Sequence, residues 1–381
     1  MLTLIDLKQC LGMLLSETKI KYLLDIFSSF FQVSYAASTR SRYSLYSLRS
    51  HFRFLSSVYD WVSVRVRLFE RFSFVKTATY IVVADETVEG KSRDKTFGLD
   101  KFYSSTAGKP IAGVCFFGLS LVHVQSGLSS FMGVLQVVYS LADKVRIAVA
   151  KEKKEMAKKR TLAAESLPKG RKKGSKNKPK QENETASYRR FKLLFINVLD
   201  VLLKVCVGIN VRYLVVDIAY GTLDYATLAE SKNLFLLSKF KSNVALYLPY
   251  QGEQKRGRPT LYGAQVKPTD LPEKFLKETL TKDGYTKKYY QFEAFAKNAF
   301  GARRLTIVVQ RTRRLKDGRT ATNIWFSNDT EINYQTLLHY YHLRFQIEFD
   351  FRDAKQHFGL SDFKNYKEEN VGNFVNLSFT M

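Results

Sequence analysis

Apolar residues recur every three or four positions through "LIDLKQCLGMLL" and "ETKIKYLLDIFSSFF" near the start of the chain. That spacing predicts helices with one buried stripe. "STRSRYSLYSLRSHFRFLSSVYDWVSVRVRLFERF" then scatters Arg among aromatics and hydroxyls. It reads as the rest of a small basic helical bundle, which either touches DNA or caps the part that follows. At "ATYIVVADETVEG" the pattern changes to a β-branched run that predicts a strand ending at Asp85. "DKTFGLDKFYSS" and "KPIAGVCFFGLSLVHV" predict two further strands, so three antiparallel strands are expected in succession. A helix is predicted from near "GVLQVVYSLADKV", and it runs into a block of charge.

Regular alternation returns after that block. "YRRFKLLFINVLDVLLKVC" predicts a helix, "VRYLVVDIAYG" a strand ending at Asp217, "LDYATLAES" a helix and "NLFLLSKF" a strand. From about 240 to 330 the pattern is mostly β, in "VALYLPY", "YTKKYYQFEAFA", "RRLTIVVQRTRR" and "TNIWFSND", with a turn signal at Lys316-Asp317-Gly318. One long helix follows. The expected organisation is α/β in four parts: a helical region over 1–75, a first core part over 76–239 interrupted by a basic segment at 151–187, a β-rich insertion over 240–329, and a last core part over 330–381.

Composition narrows the function. The chain of 381 residues carries 61 Lys and Arg against 35 Asp and Glu, a net charge of +26. Such an excess implies a polyanionic partner, and nucleic acid suits a basic chain that lacks an amphipathic basic helix or lipid anchor. The block at 151–180 concentrates 13 Lys or Arg against 3 acids. Its second half is too poor in apolar residues to bury a core, so it reads as a solvated linker or, given the overall charge, a nucleic-acid arm that includes Arg171, Lys172 and Lys173. Cys10, Cys115 and Cys206 are isolated from one another, and no His pair has metal-ligand spacing. No apolar run reaches the roughly 18 residues of a spanning helix. The N-terminus has no small-residue cleavage site, and no membrane role is expected.

Asp85 and Asp217 each close a Val-rich strand. At a strand end a carboxylate is held by the sheet yet open to substrate, and neighbouring strands would bring the two together. Glu348 on the last helix supplies a third acid. Three carboxylates at short range repel one another and call for hard cations, for which Mg²⁺ with its oxygen ligands is suited. On a basic chain this points to metal-dependent phosphoryl transfer on DNA or RNA. Glu86 and Asp224 rival the first two acids, and Asp350 and Asp353 the third. Helical geometry turns the last pair about 200° and 140° from Glu348. The same last helix carries Tyr341, Arg344 and Lys355, at spacings that place all four residues on one face.

The series Tyr341-(2)-Arg344-(3)-Glu348-(6)-Lys355 resembles the Tyr-Arg-Glu-Lys signature of the DDE transposases of bacterial insertion sequences. "IVVADET" and "LVVDIAYGT" resemble that family's first- and second-Asp strands, and the likeness covers roughly residues 45–370. It implies an RNase H-like catalytic core, a mixed sheet flanked by helices, with an N-terminal helical domain and a β-rich insertion. It implies that Asp85, Asp217 and Glu348 bind two Mg²⁺ ions, for which Mn²⁺ can substitute. Tyr341, Arg344 and Lys355 would hold the DNA near the cut.

Arg256-Gly257-Arg258-Pro259 resembles an AT-hook core, and reads equally as a basic loop of the insertion, with Arg256 and Arg258 touching phosphates. One departure from the family is that the sequence stops at the apolar "VGNFVNLSFTM", its last residue 26 past Lys355, where family members usually continue. It reads as a truncated, inactive copy or as an end packed on the core.

The expected function is Mg-dependent cleavage at the ends of an insertion sequence and strand transfer into target DNA. The partners implied are the terminal inverted repeats, target DNA and a second copy in a homodimeric synaptic complex, in a cytoplasmic, nucleoid-associated setting. Two alternatives stay open: a repurposed copy that binds DNA as a non-catalytic regulator, and another RNase H-like DNA nuclease.

Overall fold

A computed structural model describes residues 11–12, 14–32, 48–92, 95–162, 184–254 and 256–380. One mixed sheet of twelve strands organises them, in the order β2-β3-β1-β5-β6-β12-β11-β10-β7-β8, with β4 added beside β3 and β9 beside β10. The strands of the first half are β1 (Thr79–Gly90), β2 (Asp100–Ser104), β3 (Lys109–His123), β4 (Ser129–Val137), β5 (Asn210–Val216) and β6 (Phe235–Phe240). β7 (Leu246–Pro249), β8 (Tyr262–Val266), β9 (Leu276–Lys282), β10 (Tyr285–Phe295), β11 (Arg304–Arg314) and β12 (Thr320–Ser327) complete it. β1 runs antiparallel to β3 and parallel to β5, which is parallel to β6. β12 pairs antiparallel with β6, so the strands after residue 240 extend the same sheet.

The helices are α1 (Glu17–Gln32), α2 (Leu48–Leu55), α3 (Trp61–Phe72), α4 (Leu141–Leu162), α5 (Ala186–Val205), α6 (Leu223–Glu230), the single turn α7 (Lys297–Phe300), α8 (Tyr334–Leu343), α9 (Gln346–Gln356) and α10 (Glu368–Ser378). Strand alternation sorts their partners. Tyr80, Val82 and Ala84 face a core with Phe191, Phe195 and Leu199 of α5, whereas Ile81 and Val83 face one with Leu337, Ile347 and Phe351 of α8 and α9. Both sheet faces are thereby covered along β1 and β5, which explains their near-continuous apolar runs. Side-chain caps start several helices, α3, α5 and α8 among them: Asp60 accepts from the Ser63 amide, Thr185 from that of Tyr188 and Asn333 from that of Thr336.

The apolar C-terminal stretch forms α10. Asn373 Oδ1 accepts from Trp61 Nε1 at 2.8 Å, and Arg65 donates to the Asn376 carbonyl at 2.7 Å and to Thr380 Oγ1 at 3.1 Å. Among the described residues, no helix is long and apolar enough to cross a membrane.

Four sequence expectations are corrected. β1 continues five residues past Asp85, because β3 supplies antiparallel partners as far as Gly90–Gly113. On its other side the parallel ladder stops at Ala84–Val216, so Asp85 does stand at an opening there. "GVLQV" belongs to strand β4, and the helix begins only at Leu141; its apolar spacing suits either element, and pairing with β3 decides. β8 and β9 carry too few apolar residues to be seen as strands. The last long helix is two segments, α8 and α9, joined by a tightened turn in which Arg344 N donates to Tyr341 O and Glu348 N to Phe345 O.

Candidate active site

Asp85 and Asp217 are brought level by the parallel pairing of β1 with β5, whose last register pair is Ala84–Val216. Their positions continue the Ile81-Val83 and Tyr213-Val215 alternation, so both acids lie on the sheet face covered by α8 and α9. The tightened turn between those helices sets Arg344 over them. Its Nη1 donates to Asp85 Oδ2 at 2.8 Å and its Nη2 to Glu348 Oε1 at 3.1 Å, while Asp217 Oδ1 lies 4.0 Å from Nη2. Tyr341 Oη donates to Asp217 Oδ1 at 3.0 Å. Three carboxylates from residues far apart in sequence thus converge on one guanidinium.

The approach of α9 depends on a glycine. Gly118 of β3 is the cross-strand partner of Asp85, and a Cβ built there would stand 2.7 Å from the Phe351 ring. The bare backbone lets Phe351 lie against the sheet, and Phe351 shares its helix with Glu348. Asp350 anchors the same helix by accepting from Ser120 Oγ at 2.6 Å and Ser129 Oγ at 2.7 Å.

Exposure separates the acids. The Asp85 side chain is 20% exposed, against 38% for Asp217 and 46% for Glu348, and Arg344 is 6% exposed. Burial pushes the Asp85 carboxyl up to about 6; Arg344 opposes this, and the charges of Asp217 and Glu348 add to it. For Arg344, burial works against the charge, but the surrounding acids outweigh it and raise its pKa.

The rival acids lie elsewhere. Glu86 points to the opposite face, among Ser187, Tyr220 and Cys115, where burial raises its carboxyl pKa. Asp224 is exposed on α6, Asp350 is held by its serines, and Asp353 pairs with Arg352. Lys355 does not join the cluster. Its Nζ donates to the Val88 carbonyl at 2.8 Å and lies 3.4 Å from Glu89, at the far end of β1. Arg256 and Arg258 sit exposed on the loop between β7 and β8. Arg171, Lys172 and Lys173 lie outside the described residues.

Lys239 is a neighbour that sequence reasoning missed. Its Nζ stands 5.2 Å from the Tyr341 ring centre and 4.9 Å from that of Trp325. Burial lowers its pKa, opposed by the charge of Asp217 and helped by that of Arg344. The available signal was a lone cation in "FLLSKF", in step with the buried Leu237 on the face toward α8.

The family of DDE superfamily endonucleases matches residues 29–292, a span that holds Asp85 and Asp217 and ends before Glu348. The chain belongs to that family. No curated protein matches this DDE endonuclease-family chain. Endonucleases of the superfamily generally use divalent metals such as Mg²⁺. The carboxylate set here fits such an ion in its chemistry: three hard oxygen donors sharing one cationic partner, one of them buried enough to resist ionisation. As arranged, the compensating charge is Arg344, and among the described residues no three acid, His or Cys side chains form a chelating group.

Proposed function

We propose that this DDE endonuclease is the transposase of an insertion sequence, with an RNase H-like core, an N-terminal helical DNA-binding domain and a β-rich insertion. The observation that carries the reading is the convergence of Asp85, Asp217 and Glu348 on Arg344, with Tyr341 hydrogen-bonded to the second acid. The mixed sheet flanked by helices and the charge of +26 support it.

In this reading Asp85, Asp217 and Glu348 hold two Mg²⁺ ions, or Mn²⁺ in their place. Bound there, the ions would supply Lewis acidity to the attacking and leaving oxygens of a phosphodiester. Arg344 supplies a guanidinium whose planar fork suits phosphate once DNA competes with the carboxylates for it. Tyr341 keeps Asp217 oriented through its hydroxyl. Water attacks the scissile phosphorus at the element end, the bond to the 3′ oxygen breaks, and a 3′-hydroxyl is left. That hydroxyl attacks a target phosphorus in line, and the target's own 3′ oxygen leaves. Lys355, Arg256, Arg258 and the basic run with Arg171, Lys172 and Lys173 hold the backbone of the inverted repeats and the target outside the acid cluster. A homodimer brings the two ends together.

The test is cleavage of linear DNA bearing the gene's flanking inverted repeats, with Mg²⁺ or EDTA, by the wild type and Glu348→Ala. Metal-dependent cuts at the repeat edges, lost in the variant while DNA binding persists, are expected. Equal cutting by the variant refutes the site. Specific binding with no cuts by either protein replaces this reading with that of a DNA-binding regulator, and cuts confined to branched DNA replace it with that of a different nuclease.

A further inference from the structure

β10 and β11 carry a strip of cations that the acid cluster does not use. Register pairs Lys288 with Arg311 and Thr286 with Arg313, and β12 places Thr322 opposite Arg311 and Thr320 opposite Arg313. Directly opposed residues share a sheet face, and residues two apart repeat on it. Lys288, Arg311 and Arg313 therefore stand together, with Arg311 and Arg313 about 6.8 Å apart along their strand. The face is fixed by the next pair inward, Tyr290–Val309, which belongs to the same buried core as the residues of α5 and α6. The strip is thus the outward continuation of that core face and lies on the side of the sheet away from Asp85, Asp217 and Glu348.

The side chains border a depression of about 250 Å³ together with Thr286, Leu315 and Thr320. Thr279 and Thr281 of β9 continue the same face, opposite Lys288 and Thr286. No strand residue of this face over β9 to β12 is an acid: Glu278 pairs with Tyr289 and Glu293 with Thr306 on the other face, Asp283 lies in the β9–β10 turn, and Asp317 in the β11–β12 turn is engaged by Arg314 and Arg319. Lys288, Arg311 and Arg313 form no ion pair among the described residues, whereas Arg303, Arg304, Arg314 and Arg319 each pair with an acid. Three like charges set side by side with no counter-charge repel one another, and strands hold them where loops would let them part. Such a strip costs stability unless an anion compensates it. Its hydroxyl neighbours are the neutral donors that commonly accompany Lys and Arg on phosphate oxygens.

We propose that this face of β9–β12 is a second DNA-contact surface, taking the sugar–phosphate backbone of a duplex segment other than the one cut at the acid cluster. The proposal rests on the reading of the protein as a DNA transposase. It adds a binding surface on the opposite side of the sheet, with contacts to phosphate and none to base edges. Its three cations lie on paired strands and are pre-organised for phosphate contact.

The experiment is fluorescence anisotropy with the full chain and a labelled duplex of about 40 base pairs, titrated across a salt series, for the wild type and Lys288→Gln/Arg311→Gln/Arg313→Gln. Each phosphate contact contributes about 0.9 to the slope of log K against log salt, so the triple variant should flatten the slope by about 2–3 and bind more weakly at every salt. Thermal melting checks its fold. Should it not fold, the exposed Arg313→Glu alone is expected to weaken binding and flatten the slope by about 1 or more. An unchanged slope in a folded variant overturns the proposal while leaving the transposase reading intact. Failure of the wild type to bind any duplex overturns both. A loss confined to an RNA duplex of the same sequence, with DNA binding unaltered, overturns the assignment to DNA.

Discussion

Replacing Arg344 with Met removes the single positive charge that three carboxylates share while keeping a side chain of similar length. Arg344 lies 2.8 Å from Asp85, 3.1 Å from Glu348 and 4.0 Å from Asp217. Glu348 and Asp217 are more than a third exposed, and water replaces most of what they lose. Asp85 is 20% exposed and has no such recourse. Stripping one partner from a buried ion pair typically costs about 3–5 kcal/mol, and partial exposure with relief of the guanidinium's own desolvation brings the expectation to about 2–4 kcal/mol at pH 8.

The pH dependence tests the cause. With Arg344 present, the Asp85 carboxyl already stands at about 6, above its ordinary 3.8. A carboxyl raised on folding takes up protons in the native state first, so its effect is to lower stability as pH rises from about 4 through 6. Without the guanidinium that opposes the rise, the carboxyl should climb further and the window extend upward. The difference between wild type and Arg344→Met should therefore be largest at pH 8 and shrink to about 1 kcal/mol or less at pH 5, where Asp85 is protonated in both. Urea unfolding at the two pH values measures it. An equal loss at both means that Arg344 acts by packing, and the electrostatic account of the cluster fails.

Gly118→Ala places a Cβ 2.7 Å from Phe351 and 3.0 Å from Phe131, so α9 should shift outward at a cost of about 1–3 kcal/mol. Cleavage should fall more than DNA binding, and parallel decline of the two would separate Gly118 from the site. Ser129→Ala strips one of the two donors from the half-buried Asp350 and should cost about 1–3 kcal/mol in urea unfolding. Burial already raises the Asp350 pKa, with its serines opposing. Losing one raises it further, so the variant's deficit should narrow as pH falls below the shifted value. A deficit independent of pH would show that the serine matters through its shape alone.

Much of this arrangement was legible in the sequence. Val-rich runs announced β1 and β5 because strands covered on both faces need apolar residues throughout, and each run stops at the acid that now faces its partner. The spacing from Tyr341 to Glu348 placed phenol, guanidinium and carboxylate on one side of a helix, and the structure brings them together across the turn between α8 and α9. Lys355 fits the same face on an ideal helix, but the tightened turn at Arg344 and the extra length of β1 leave it beside Glu89. Local pattern says little about either effect, since both depend on which strand lies opposite. The same blindness explains β4, whose residues "GVLQV" satisfy both periods, and β8 and β9, which pair at the exposed end of the sheet and need few apolar side chains. Lys239 was invisible for another reason: a lone cation in a strand acquires meaning only once α8 lies across it.

The contacts made by α10 have a consequence for timing. Trp61 and Arg65 make their side-chain hydrogen bonds with Asn373, Asn376 and Thr380, more than 300 residues later in the chain. The acids themselves stand at 85, 217 and 348. A nascent chain of 300 residues could build the half of the sheet from β2 to β6 and still own two acids, no guanidinium between them and an unsatisfied indole where α10 belongs. Domains emerge N-terminus first at about 5–20 residues per second, so this interval lasts several seconds on the ribosome. On the proposed reading of the acids, cutting power would arrive abruptly and last, and a chain released short of α9 would carry a broad basic surface and no means of breaking a phosphodiester.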